Sequence, residues 1–148
     1  MLFPKSDIAS HLKSLGIENS DIVMLHADAG VAAQYIFDDA DDPTLEFIDH
    51  LLSYFSEGTV IVPAFTYSAT KGEVFDPAIV PSSVGLFSEK FRMIDGVIRS
   101  KHPIFSVSCI GKYAEYFADS LLTDCFGEDT FFEKLHKKNA KLVTLGCG

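Results

Sequence analysis

Tryptophan is absent, and cysteine occurs three times in 148 residues, as Cys109, Cys125 and Cys147. An odd count with no metal-like spacing argues against a disulfide framework, predicts no metal site and suits a reducing cytoplasm. Positive charge is scarce too. Lys and Arg number 12 against 21 Asp and Glu, a formal charge of −9 at pH 7. Such a chain repels phosphate backbones, which excludes nucleic-acid binding as its main task. No apolar run approaches the roughly 20 residues that span a bilayer. The start, Met1 to Asp7, has no basic segment leading into an apolar one, so neither a membrane anchor nor a signal peptide is expected. Several signatures of chemistry are missing as well. There is no Walker sequence, no Gly-x-Ser-x-Gly elbow and no His-Glu-x-x-His pair, and Gly146-Cys147-Gly148 is not a dinucleotide fingerprint.

What is present is enough to fold. Hydrophobic residues make up 47%, charged residues 22%, and mean hydropathy is +0.19, so a core can be buried and residues 1–148 are expected to form one domain. Ser6 is placed to cap a helix with Ile8, Leu12 and Leu15 on its apolar face, closed by Gly16. Ile22 to Leu25 reads as a buried strand opening into His26-Ala27-Asp28-Ala29-Gly30. The acidic stretch Asp38 to Asp42 leads to Pro43 at a first helical position. That helix presents Leu45, Ile48, Leu52 and Phe55, and Thr59 to Val62 form a second strand. Helix, strand, helix, strand is α/β grammar.

Residues 64–83 form a turn-rich connection long enough to suggest a function. Ser83 is placed to cap a helix bearing Leu86, Phe87, Phe91 and Ile94. Short strands are expected at 97–99 and 106–110, and a helix from Lys112 to Leu122. Thr130 with Glu133 makes a capping box. Lys141 to Leu145 is a further strand, and in open α/β sheets chemistry gathers at the carboxyl ends of strands. A protein that stops there ends on a central strand, so the chain is expected to be the N-terminal portion of something longer.

Three places can carry chemistry. His26 ends a strand before a glycine-containing loop whose N–H groups suit an anion, though a strand-end histidine can equally satisfy a backbone carbonyl. Phe65, Thr66 and Tyr67 follow another strand end, where rings and hydroxyls can line a sugar or nucleotide pocket or simply pack. Arg99-Ser100-Lys101-His102 is the one local concentration of positive charge, suited to phosphate or to a solvated turn. Cys147 stands where a nucleophile would be placed, but a lone cysteine there usually packs. His11, His50 and His136 fall on helices with no evident partner.

Four blocks in order resemble the aminoglycoside 3-N-acetyltransferase family, the antibiotic acetyltransferases. They are Asp21 to His26, Gly58 to Ser68, Phe75-Asp76-Pro77 with Pro81 to Arg92, and Gly96 to Val107. The resemblance implies a layered sheet with helices on both faces, acetyl-coenzyme A as co-substrate without a metal, and an amine on an aminoglycoside or related amino sugar as acceptor. Homo-oligomerisation is compatible with it. On this resemblance His26, Ala27, Asp28, Arg99, Ser100, His102 and Ser106 contact the coenzyme, and Phe65, Thr66, Tyr67 and Asp76 face the acceptor. The charge of −9 agrees with a polycationic substrate.

The chain departs from the family in several ways: Ala64 follows Pro63, Phe131 stands where proline is common after a small hydroxyl residue, and two further differences bear on the chemistry. A pair of serines commonly follows the strand-end histidine, where Ala27 and Asp28 stand here, so hydroxyls are replaced by a carboxylate that repels pyrophosphate. The family's catalytic histidine and its acidic partner follow the strand that ends here at Leu145-Gly146, so no catalytic residue is assigned and this chain alone is expected to be inactive. Two other readings share the observations: a catalytically inactive coenzyme- or sugar-binding module of the same fold, and an unrelated α/β assembly domain.

Overall fold

The computed structural model describes residues 2–38, 41–120 and 123–147. Seven strands and five α-helices are described: β1 (Phe3–Pro4), α1 (Asp7–Ser14), β2 (Ile22–Ala27), β3 (Tyr35–Ile36), α2 (Pro43–Tyr54), β4 (Thr59–Pro63), α3 (Leu86–Arg92), β5 (Ile98–Arg99), β6 (Val107–Gly111), α4 (Ala114–Ala118), α5 (Phe131–Lys137) and β7 (Lys141–Leu145). The main sheet runs β5-β6-β4-β2-β7, and β1 pairs with β3 separately. Strands β4, β2 and β7 are parallel, whereas β6 runs antiparallel to β4 and to β5. β7 therefore lies at an edge of the described sheet rather than at its centre.

The alternation of a strand sorts side chains onto two faces. Val23 and Leu25 of β2, with Val60 and Val62 of β4, pack with Ile8, Leu12, Phe47, Ile48, Leu51, Phe87 and Phe91 from α1, α2 and α3. Met24, Ile61, Val107 and Cys109 face the other way, onto Ala114, Phe117 and Phe131 of α4 and α5. Helices thus cover both faces, as the resemblance implied. The runs read as continuously apolar because both faces are covered.

Local signals explain most element boundaries. Asp42 caps α2, accepting the Thr44 and Leu45 amides at 3.1 and 3.2 Å, with Pro43 next. Its second oxygen pairs with Lys90 of α3, which ties the two helices together. Thr130 caps α5 by accepting the Glu133 amide, while the Glu133 carboxylate takes the Asp129 amide at 2.7 Å instead of closing a box on Thr130.

Other expectations need correction. Ser6 makes no cap bond, and Gly85 rather than Ser83 precedes α3. Leu15, Leu45 and Leu86 are exposed, and Thr44, Phe47 and Leu51 are buried on α2 instead. The helical face is rotated from the one that Leu45 and Leu52 suggested. The helix expected from Lys112 covers only Ala114–Ala118, and positions 121 and 122 lie outside the described residues. So do Asp39 and Ala40 of the acidic stretch and Gly148 at the end. No helix among the described residues is long and apolar enough to cross a membrane.

Candidate functional site

β2 is followed through α2 by β4 on one side, while β7 enters on its other side after α5. The helices before and after the crossover lie on opposite faces. The carboxyl end of β2 is therefore the topological switch point, the place where α/β sheets open a crevice. His26 and Ala27 occupy it, paired with Thr144 and Leu145 of β7.

A cavity of about 120 Å³ opens here, lined by His26, Ala27, Pro63, Phe65, Val84, Ser88 and Cys147. A second, of about 440 Å³, extends along the α5 face, with Met24, His26, Phe65, Phe132, Leu135, His136 and Leu142 among its walls. His26 and Phe65 border both. Burial pushes the His26 imidazole below the ordinary histidine value, so it is neutral at pH 7 and offers one donor and one acceptor.

The loop after β2 is closed by its own groups. Asp28 accepts the Gly30 amide at 2.7 Å and caps a 3₁₀ turn over Ala29–Gln34. Its carbonyl takes the Val31 amide at 3.1 Å, and its own amide donates to the Leu145 carbonyl at 3.0 Å. Gly146 follows with φ of +67°, and a Cβ there would stand 3.2 Å from Val31 Cβ. Only glycine fits this close crossing without strain. Cys147 emerges exposed beside it, its thiol 3.7 Å from the His26 carbonyl, so it is not the packed residue that its solitude suggested.

Residues 64–66 continue the antiparallel pairing of β4. Ala64 and Thr66 amides donate to the Ser106 and Ile104 carbonyls at 2.8 and 3.0 Å. Phe65 packs edge-on against Phe105, with ring centres 5.1 Å apart. Thr66 is buried, its hydroxyl donating to the Pro103 carbonyl at 2.8 Å. Tyr67 is exposed. Asp76 is also exposed, and one of its oxygens accepts the Ala78 amide at 2.9 Å.

The basic cluster turns inward. Ser100 and Ser106 are buried, the first accepting the Val107 amide at 2.9 Å and the second donating to the Ala64 carbonyl at 2.6 Å. His102 Nδ1 accepts the Ile104 and Phe105 amides at 3.1 and 2.9 Å, which puts its proton on Nε2. Burial lowers its pKa, partly offset by the Asp124 carbonyl. The Arg99 guanidinium donates to Ala64, Pro77 and Val80 carbonyls and to the Ser106 hydroxyl. Desolvation, with Arg92 adding repulsion and Glu89 opposing both, pushes it down to about 10, so it stays cationic at neutral pH.

The structure thus brings His26, Ala27 and Phe65 together at the strand ends, with Asp28 beside them. It sets Arg99, Ser100, His102, Ser106 and Thr66 within the wall behind, and leaves Tyr67 and Asp76 on the loop surface. Sequence reasoning missed Val84, Ser88 and Phe132 as cavity walls. Among the described residues no group of three or more His, Cys, Asp or Glu is placed to hold a metal ion. The helical histidines have neighbours after all: His11 Nδ1 lies 2.8 Å from the Tyr35 hydroxyl, and His50 stacks on Phe37.

Comparison with known proteins places this architecture. The apoenzyme of aminoglycoside acetyltransferase AAC(3)-IVa matches 100% of the chain with a TM-score of 0.83 and 24% identity, over 56% of its own length. AAC-IIIb, solved as a binary complex with CoASH, matches 99% at 0.82 and 24%, over 60% of its length. YokD of Bacillus subtilis matches 90% at 0.75 and 20%, over 61%. The chain therefore spans little more than half the length of these solved structures, which at such identities show the fold. The family described as aminoglycoside 3-N-acetyltransferase matches residues 37–148. That is well over half of the sequence, and the chain belongs to this family.

Proposed function

We propose that the chain forms part of an acetyl-coenzyme A-dependent N-acetyltransferase whose acceptor is an amine of an aminoglycoside or related amino sugar. The family match over residues 37–148 carries this reading. The CoASH complex of AAC-IIIb and the sisomicin complex of AAC-VIa, another structure of this fold, are consistent with it. In the reaction the acceptor nitrogen attacks the thioester carbonyl, the C–S bond breaks, and an amide and a free thiol form. The ammonium proton must leave before attack.

The cavity at the ends of β2 and β4 opens beside the turn after β2, where the phosphate end of the coenzyme would lie. His26 holds a neutral imidazole at its mouth, able to donate to a phosphate oxygen. Tyr67 and Asp76 offer a hydroxyl and a carboxylate to an amino sugar, and the charge of −9 draws polycations toward it. Arg99, Ser100 and Ser106 serve the coenzyme only indirectly, since their polar groups are held by the backbone. The histidine–acid pair that the resemblance implies is not assigned to any residue here.

Thiol release from acetyl-coenzyme A, followed with sisomicin as acceptor in the whole protein of which this chain forms part, tests the activity, and calorimetric titration of coenzyme A tests its first step. Saturable binding is expected. A folded protein that binds no coenzyme A contradicts the proposal.

A further inference from the structure

The loop 64–83 is built as a fixed wall. Its base is closed by the Ser83 amide, which donates to the Phe65 carbonyl at 2.9 Å. Its far side is a turn around Asp76, whose carbonyl accepts the Ile79 and Val80 amides. Three side chains outside the loop grip it. Glu89 accepts the Ser82 amide at 2.7 Å while binding Arg92 through both oxygens. Arg92 reaches the Ala78 carbonyl at 3.4 Å. Arg99 reaches furthest, donating to Pro77 and Val80 at the turn and to Ala64 at the end of β4. The Phe75 ring lies 5.2 Å from its guanidinium carbon.

We propose that Arg99 is a positioning residue that holds the loop 64–83 against the end of β4 and so sets Tyr67 and Asp76 for the acceptor amino sugar. This rests on the reading given under Proposed function. Nε, Nη1 and Nη2 all have partners, which a planar fork of five donors can supply and an ammonium cannot. The Ala64 carbonyl accepts from both Arg99 and Ser106, using both its lone pairs. A phosphate would have to take Arg99 away from carbonyls on two separate segments. The residue therefore acts on the acceptor side through the loop, not on the coenzyme by direct contact.

Arg99→Lys separates these roles, because it keeps the charge and removes the fork. Hydrogen exchange, read peptide by peptide, is expected to rise at least tenfold over 67–83 and stay unchanged in β2 and β4. Calorimetry is expected to show sisomicin binding weakened at least tenfold and coenzyme A binding within twofold of the parent. Phe75→Leu, which leaves Arg99 in place, is expected to raise exchange over 67–83 by about threefold and covers the case in which Arg99→Lys does not fold. Unchanged exchange over 67–83 in both variants overturns the proposal, as does a tenfold loss of coenzyme A binding with sisomicin binding intact. If the parent binds neither ligand, the acyltransferase reading fails and the acceptor side of this proposal fails with it. The exchange data then still decide whether Arg99 holds the loop.

Discussion

The Asp28 carboxylate accepts the Gly30 amide at 2.7 Å, so a fixed negative charge occupies the turn at the end of β2, where a coenzyme phosphate would seek backbone donors. The same bond caps the 3₁₀ turn. Stability and anion binding therefore pull in opposite directions at one residue.

Asp28→Ser keeps an oxygen for the Gly30 amide and removes the charge. Coenzyme A affinity is expected to rise about tenfold, the equivalent of about 1.4 kcal/mol, with little change in unfolding midpoint. Asp28→Ala removes the cap as well and is expected to cost about 1 kcal/mol of stability in denaturant titration. Equal coenzyme A affinity in all three proteins would mean that the phosphates bind elsewhere.

The two cores on opposite faces of the sheet are expected to be equally indispensable. Phe91 and Phe117 are 1% and 0% exposed, one on each face. Either residue changed to Ala is expected to cost about 3–5 kcal/mol, read from urea unfolding. A loss under 1 kcal/mol for Phe117→Ala would show that α4 and α5 do not form part of the cooperative unit.

Much of this fold was legible because its signals are local. The strand runs at 22–25, 59–62 and 141–145 are short, apolar and bounded by turn residues, and Asp42-Pro43 is a helix start written in adjacent positions. The α2 face was misplaced because Leu45 looks as apolar as Phe47, and only the neighbour across the interface decides between them. The placement of some candidate residues was legible: His26 and Ala27 close β2 and Phe65 follows β4, at strand ends where α/β chemistry collects. The packing of Arg99 was not. Its partners at Ala64 and Pro77 lie 35 and 22 residues away, so nothing adjacent distinguishes a buried strut from an anion ligand. His11 and Tyr35, 24 residues apart, were missed for the same reason.

Acid is expected to destabilise the protein in two stages. In the folded chain His26 and His102 titrate below the ordinary histidine value because burial disfavours the imidazolium. Once pH falls through about 6.5, the unfolded chain binds more protons, so stability declines from there downward. Glu89 is held below its usual range chiefly by the Arg92 hydrogen bond. At Asp21 burial works upward, but the Lys141 bond and the Glu18 amide outweigh it. These carboxylates contribute stability above about pH 4 that is lost on further acidification. Urea midpoints measured from pH 8 to 3 should fall in both windows. A flat profile between pH 7 and 5 would show that the two histidines protonate as freely folded as unfolded.

Calorimetric titration of coenzyme A into the purified protein, with its fold checked by circular dichroism, decides most directly whether this is an acyltransferase site. Binding in the micromolar range, about −8 kcal/mol, strengthened by Asp28→Ser, is the expected result. A well-folded protein that gives no binding heat at millimolar coenzyme A, before and after that substitution, would leave the fold standing and contradict acetyl transfer.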